Sequence, residues 1–262
     1  MSIENLRTGI DEIDSEIIRL LNRRCELARQ IGAWKHENNL PIYVPEREQQ
    51  LLDRLADHNP GPLDRDSLIA IYREIMSAAI KLEQPMNIAF LGPEGTFSHQ
   101  AVLEKFGRGV TCQPVPTIAD VFSAVEAGRA DYGMVPVENT TEGVVNPTLD
   151  SLTEANVRIV AEFNLPVHLL LYSASPLSEI RCVYSHQQPL GQCREYLRAN
   201  LPNATLIEVT STTRAVELAE RERDAAAISG KLAGDNTDLP VVAENIEDNL
   251  RNITRFLVIG KQ

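Results

Sequence analysis

The sequence predicts two domains of different class, an all-α segment over residues 1–85 and an α/β domain over residues 86–262. Three observations carry that prediction. Apolar residues recur at helical spacing through the first 34 positions, the pattern changes abruptly after LEQP, and the chain closes on the short apolar run FLVIG behind NITR. A length of 262 residues is enough for two cores.

From Ile3 to about Glu37 only Gly9 and Gly32 interrupt the helix formers, and Ile10, Ile13, Ile17, Leu20, Leu27, Ile31 and Trp34 are spaced by three, four and seven. That is one long amphipathic helix. Pro41 and Pro45 end it, a second helix runs from about Glu46 to Asp57, and a third from about Leu63 to Leu82 after the turn NPGP. A first helix of roughly 33 residues is ~50 Å long, longer than an ~85-residue domain is wide. It requires a partner, most simply a second copy of itself, which predicts an intertwined helical homodimer. Beyond Pro85, NIAFLGPEGTFSHQA reads as strand, Gly-rich turn and helix. Strands are predicted at 110–115, 132–137, 157–163, 168–172, 180–184, 205–209, 225–229 and 256–259, with helices between several of them and a mostly parallel sheet.

Composition narrows the function classes. A net charge of −12 makes binding to nucleic acid or an anionic membrane unfavourable unless basic residues cluster, though anionic small substrates remain possible where arginines gather. The acidic start MSIENLRTGIDEIDSE lacks a signal-peptide apolar run, and no window approaches about 18 apolar residues, so a cytoplasmic protein is expected. Cys25, Cys112, Cys182 and Cys193 show no CxxC spacing and the five histidines are scattered. Free thiols, no metal and no cofactor are expected. The N-x-T sequons at Asn139, Asn203 and Asn252 mean nothing without secretion.

Arg24 stands where the apolar stripe of the first helix leaves a gap, and Lys35 follows about three turns later at nearly the same azimuth. A buried charge needs a partner. Taken alone, the pair reads more simply as a snorkelling arginine and a solvated lysine. Arg7 lies roughly a quarter-turn off and ~25 Å away along the axis, so it reaches the same pocket only from another subunit. With Arg47 and Glu48 opening the second helix in PIYVPERE, the ordered set resembles the all-helical chorismate mutases across residues 1 to about 85. The resemblance implies catalytic roles for Lys35 and Glu83. It implies substrate-binding roles for Arg24, Arg47, Glu48 and, from the second copy, Arg7. A Claisen rearrangement needs only a compact substrate conformer and donors aimed at the ether oxygen, and guanidinium clamps on two carboxylates supply the first. Two positions depart from the family pattern: Glu83 falls where the ether-oxygen donor is often Gln, and Ala79 where Ser is often found. Glu83 can donate only if protonated, which burial and substrate anions favour; otherwise it is a solvated glutamate at a helix end.

Four segments of the second part carry its chemistry. GPEGTFSHQA opens a helix whose free N–H groups suit a carboxylate, although such a turn is often only a turn. In GMVPVENTTEGVVNPTLDSL, Glu138 and Asn139 leave a strand end into a loop that caps another helix, where α/β ligand sites lie. VYSHQQPLGQC places Ser185 and Gln192 near a strand end, and NITRF places Thr254 and Arg255 at the mouth of the closing strand. Together, in this order, they resemble prephenate dehydratase over residues 86–262, and the whole chain resembles the bifunctional chorismate mutase/prephenate dehydratases of phenylalanine biosynthesis. The resemblance implies two subdomains of the type II periplasmic-binding kind with prephenate between them. It implies Thr254 as a catalytic residue and Asn139, Ser185 and Gln192 as substrate contacts, with chorismate and prephenate as the only partners apart from the second copy.

Dehydration of prephenate expels a ring hydroxyl and CO2 together and is driven by aromatisation. Thr254 is a poor acid, so hydrogen bonding to the leaving oxygen is its expected task, and Glu138 and His186 are the candidate proton sources. Arg255 suits the pyruvyl carboxylate, yet neighbours in a strand face opposite ways; a bulge reconciles the two, and without one Arg255 is structural. A non-catalytic solute receptor of the same fold class would need a signal sequence, and a repressor a basic N-terminal domain. Residues 1–85 hold 11 Lys and Arg against 15 Asp and Glu. Members of this family usually continue into a regulatory domain of the ACT type, and none is read before Gln262. Phenylalanine is therefore expected to exert no allosteric effect on these 262 residues.

Overall fold

The computed structural model describes residues 2–38, 40, 43–83, 86–235 and 237–261, without the side chain of Glu83. Contacts divide the chain into two compact units, Met1–Met86 with Phe106–Thr111, and Asn87–Lys105 with Cys112–Gln262.

In the first unit α1 spans Ile3–Glu37, α2 Pro45–Asp57 and α3 Arg65–Glu83. Ser2 caps α1 by accepting from the Asn5 N–H at 3.3 Å, and Pro45 starts α2 where a missing N–H costs nothing. Arg65 ties the start of α3 to the end of α2 through Asp53 and Asp57. α1 packs along α3 yet leaves its apolar stripe in solvent, with Ile10, Ile13, Ile31 and Trp34 each more than half exposed. A continuous apolar face of this length is not a stable surface for a lone chain.

The second unit contains two sheets. The first has the order β2 (Thr111–Val115), β1 (Asn87–Leu91), β3 (Tyr132–Asn139), β11 (Ile253–Lys261), β5 (Val157–Pro166), with the two-residue β4 (Gly143–Val144) added to β3. The second runs β10 (Val241–Ala243), β6 (Leu170–Ser173), β9 (Ala225–Ser229), β7 (Cys182–Ser185), β8 (Thr205–Glu208). The helices are α4 (Phe97–Phe106), α5 (Ile118–Glu126), α6 (Asn146–Glu154), α7 (Gln187–Gln192), α8 (Arg194–Asn200), α9 (Thr212–Ala219) and α10 (Lys231–Gly234). The expected mostly parallel sheet is corrected here. The β1–β3, β7–β8 and β7–β9 pairs are parallel, but β3–β4, β3–β11, β5–β11, β6–β9 and β6–β10 are antiparallel. The cause is the double crossing between sheets: β5 carries the chain out of the first sheet and β11 brings it back, so the two lie side by side in opposite directions.

β11 begins at Ile253, three residues before the predicted strand, so Thr254 and Arg255 lie inside the ladder. Its apolar residues fill both faces: Leu257 and Ile259 join Val121, Val125 and Val135 under α5, while Phe256 and Val258 are buried on the other side. Ala225–Ser229 is buried at every position, as a central strand covered on both faces must be. All four cysteines are free; burial pushes the Cys112 thiol up to about 11 and raises Cys193 further, which leaves both inert.

At Gly133 α5 packs close against the sheet. A Cβ there would meet Val121 Cγ1 at 2.6 Å and Ile259 Cγ1 at 2.8 Å, both atoms of stiff β-branched side chains. Gly133→Ala is expected to destabilise the protein by about 1–3 kcal/mol through overpacking. Chemical denaturation of the variant against the parent checks this.

Candidate active site

In the second unit a cleft of ≈ 360 Å³ opens between the two sheets. One wall comes from β3, β11 and the start of α4 through Asn139, Thr254 and Ser98; the other comes from α7 and the start of α9 through Gln192 and Thr212. Hydroxyl and amide groups predominate among its polar groups, Leu91, Ile118, Val145 and Phe256 supply apolar wall, and Glu142 is the carboxylate that reaches it. Among the described residues that line it, none is Lys or Arg.

Register explains why Thr254 and Asn139 meet. They are paired across β11 and β3, and the Asn139 Nδ2–H donates to Thr254 Oγ1 at 2.8 Å and to Asn252 Oδ1 at 2.8 Å. Asn139 Oδ1 accepts from the backbone N–H groups of Thr141 and Glu142 at 2.9 and 3.0 Å, which closes the hairpin loop after β3. Backbone N–H groups can only donate, so the Asn139 amide has one permitted orientation. Its nitrogen occupies an acceptor site of the Thr254 hydroxyl and leaves the hydroxyl proton for the cleft.

The crossing segments hold the two sheets in place. Val167 N–H donates to Asn252 O at 2.8 Å, Ile246 N–H to Leu169 O at 3.0 Å, and the buried Glu247 carboxylate accepts from Leu169 N–H and from His168 Nδ1, each at 2.9 Å. At the opposite end of the cleft, His99 Nδ1 accepts from the Gly95 N–H at 3.0 Å, and its ring stacks on the buried Phe90 ring with centroids 4.9 Å apart. Gly95 adopts φ +82°, so the GPEGT turn needs glycine there. Thr213 Oγ1 donates to Glu94 O at 2.8 Å, joining this turn to α9 across the cleft.

Of the residues read from the sequence, Thr254, Asn139, Gln192 and His186 line the cleft. Ser185 does not. It is wholly buried at the end of β7 and donates to Ile228 O at 2.7 Å, so its hydroxyl is spent on joining strands rather than on a ligand. Arg255 is also elsewhere. The ladder to β3 shifts register after Arg255, yet its side chain keeps to the far face, 3.3 Å from Glu138 Oε2 and 4.0 Å from Glu162 Oε2. The extra residue of that bulge is Val137 on β3, so β11 keeps its alternation: Thr254 and Phe256 line the cleft, and Arg255 stays on the far face with Glu138. Between the two candidate proton sources, only His186 faces the cleft. Glu142 and Asn252 were missed, although Asn252 opens the NITRF segment and is 2% exposed; a polar residue directly before a closing strand was the available signal.

In the first unit Arg24 is half-buried and directs Nη1 toward Ile75 O on α3 at 3.5 Å. Lys35 and Glu48 are half-buried, Arg7 and Arg47 exposed. Ala79 is buried, and Glu83 falls where side chains are not described.

Comparison with known proteins gives this architecture its class. Residues 88–262 match the family described as prephenate dehydratase, and residues 6–84 the family described as chorismate mutase type II. The bifunctional chorismate mutase/prephenate dehydratase of Aquifex aeolicus (strain VF5) is 47% identical over 265 residues, covering 99% of this chain and 73% of that protein. The Escherichia coli (strain K12) protein of the same description is 34% identical over 278 residues, covering 98% and 72%. The crystal structure of a prephenate dehydratase from Arthrobacter aurescens, in complex with L-Phe, has a TM-score of 0.62 at 33% identity over 67% of this chain and 60% of that one. The chain belongs to the family of bifunctional chorismate mutase/prephenate dehydratases.

Two substitutions test the site's electrostatics. Asn139→Asp keeps the shape but removes the donor, so the Thr254 proton turns toward the new carboxylate and away from the cleft. Turnover in the cleft is expected to fall about 100-fold, read as kcat at saturating substrate. Burial lowers the His99 pKa from the ordinary 6.5, against a smaller opposing influence of Glu94. The unfolded chain then binds the extra proton, so stability is fully present above about 6.5 and is lost as pH falls through the depressed value. Calorimetric melting between pH 7 and 5 should show this decline, and His99→Gln should flatten it.

Proposed function

We propose a division of labour in which the helical part, residues 1–85, rearranges chorismate to prephenate and residues 86–262 convert prephenate to phenylpyruvate. Both activities follow from the two families matched and from the bifunctional relatives. The hydrogen bond from Asn139 to Thr254, inside a cleft between two sheets, is the single observation that supports the residue-level reading.

In the cleft, Thr254 donates to the departing ring hydroxyl. The C–COO⁻ bond breaks as its electron pair enters the ring, the C–OH bond breaks in turn, and one proton converts the leaving hydroxide to water. His186 stands in the cleft for that proton. The walls offer the substrate's carboxylates neutral donors rather than guanidinium groups. A carboxylate that must leave as CO2 loses charge in the transition state, so a tight cationic clamp on it would hold back the reaction. The two-sheet form with paired crossing segments supports the likeness to type II periplasmic-binding folds.

For the mutase, the exposed stripe of α1 supports a homodimer in which two long helices cover each other. Arg24, Lys35, Arg47 and Glu48 of one chain, with Arg7 reaching from the second copy, grip the two carboxylates of chorismate, and the resemblance gives protonated Glu83 the role of donor to the ether oxygen. No helix among the described residues is long and apolar enough to cross a membrane, and the cytoplasm is the proposed place of action.

Incubation with chorismate should yield phenylpyruvate. Thr254→Ala should lower dehydration of added prephenate about 100-fold or more while leaving the rearrangement intact, and Arg24→Ala should do the reverse. Equal loss of both activities in either variant would contradict the division.

A further inference from the structure

Behind the cleft, side chains from three separated segments close a ring of hydrogen bonds. Asn139 Nδ2–H donates to Asn252 Oδ1 at 2.8 Å, Asn252 Nδ2–H to Gln192 Oε1 at 3.1 Å, and Gln192 Nε2–H to Glu142 Oε1 at 3.1 Å. The backbone N–H of Glu142 returns to Asn139 Oδ1 at 3.0 Å. Every member points the same way round. The direction is forced at both ends, because a backbone N–H only donates and an ionised carboxylate only accepts. Three amides between those ends have no freedom to flip.

Two links of the ring cross the cleft, Asn252 to Gln192 and Gln192 to Glu142. Asn139 and Glu142 belong to the hairpin of the first sheet, and Gln192 ends α7 beside the second. An amide is required at position 252, since it must accept on one side and donate on the other. We propose that Asn252 is a positioning residue of the dehydratase cleft. It holds Gln192 with its nitrogen toward Glu142 and couples that contact to the Asn139–Thr254 pair, fixing the gap between the two walls. The inference rests on the proposed dehydratase reading of the cleft.

The direction of the ring can be reversed chemically. Asn252→Asp still accepts from Asn139 but cannot donate, so Gln192 must turn its nitrogen inward and its oxygen then faces the Glu142 carboxylate. Adding Glu142→Gln supplies a donor at that point and keeps the summed charge of the ring. With added prephenate, Asn252→Asp is expected to lower dehydratase kcat/KM by about tenfold or more. The double variant is expected to return close to the level of Glu142→Gln alone. A merely structural asparagine would give no such rescue, because Glu142 does not touch it. Should Asn252→Asp fail to fold, Gln192→Glu breaks the same ring one link later, and Glu142→Gln should rescue it equally. Unchanged activity in the single variant, or loss without rescue in the double, overturns the inference. A parent protein that leaves prephenate untouched would overturn the dehydratase reading instead. The ring would then be judged by melting temperature, lowered in the single variant and restored in the double if the inference holds.

Discussion

The insertion of the closing strand between β3 and β5 is the constraint on which the second unit depends. β11 is last in sequence yet central in its sheet, so the sheet cannot be completed until the second sheet has been built and the chain has crossed back. Its register with β3 sets Thr254 opposite Asn139. Because ladder pairing advances two residues per face, a slip of one residue would send Thr254 to the Arg255 face and bring a charge into the cleft. The buried run Phe256–Ile259 resists that slip, since Leu257 and Ile259 fill the core under α5 while Phe256 and Val258 are buried on the opposite face.

A chain with net charge −12 that handles dianionic substrates has to limit its own repulsion. In the proposed dehydratase reading the cleft does so with dipoles in place of cations. Hydroxyls, amides and the first turn of α9 supply partial positive charge without a mobile counter-ion, and Glu142, the carboxylate on its wall, has a lone pair already engaged by Gln192. Arg255 meanwhile serves the far face of the sheet, where it offsets Glu138 and Glu162. The helical unit takes the opposite course. Its cations sit on half-buried and exposed positions of α1 and α2, and in the proposed mutase reading their guanidinium groups suit a pericyclic reaction that needs shape and charge complementarity but no proton transfer.

Much of the architecture was legible in the residues. Periodicity located α1, α2 and α3 within a residue or two, because an amphipathic helix writes its period into consecutive positions. The abrupt change after LEQP and the strand-turn-helix pattern that follows marked the second unit. β4 and β10 were missed, being two and three residues long and defined only by pairing. The parallel bias failed because strand direction depends on how often the chain crosses between sheets, which no local pattern records.

Residue types and spacing by themselves determined the long helix with its unpaired apolar stripe, the change of pattern after LEQP, and the four segments that supply the cleft, since these follow from short-range periodicity and motif order. Tertiary structure alone decided which members of those motifs face the cleft. Ser185 and Thr254 look alike as hydroxyls at the end of a strand, yet one bonds to Ile228 and the other to Asn139. Asn252 and Arg255 stand three positions apart, yet one is sealed behind the cleft and the other lies on the opposite face. The physical reason is that a side chain's partner is set by register across strands distant in sequence, 139 against 254, and by the second wall that folds over them.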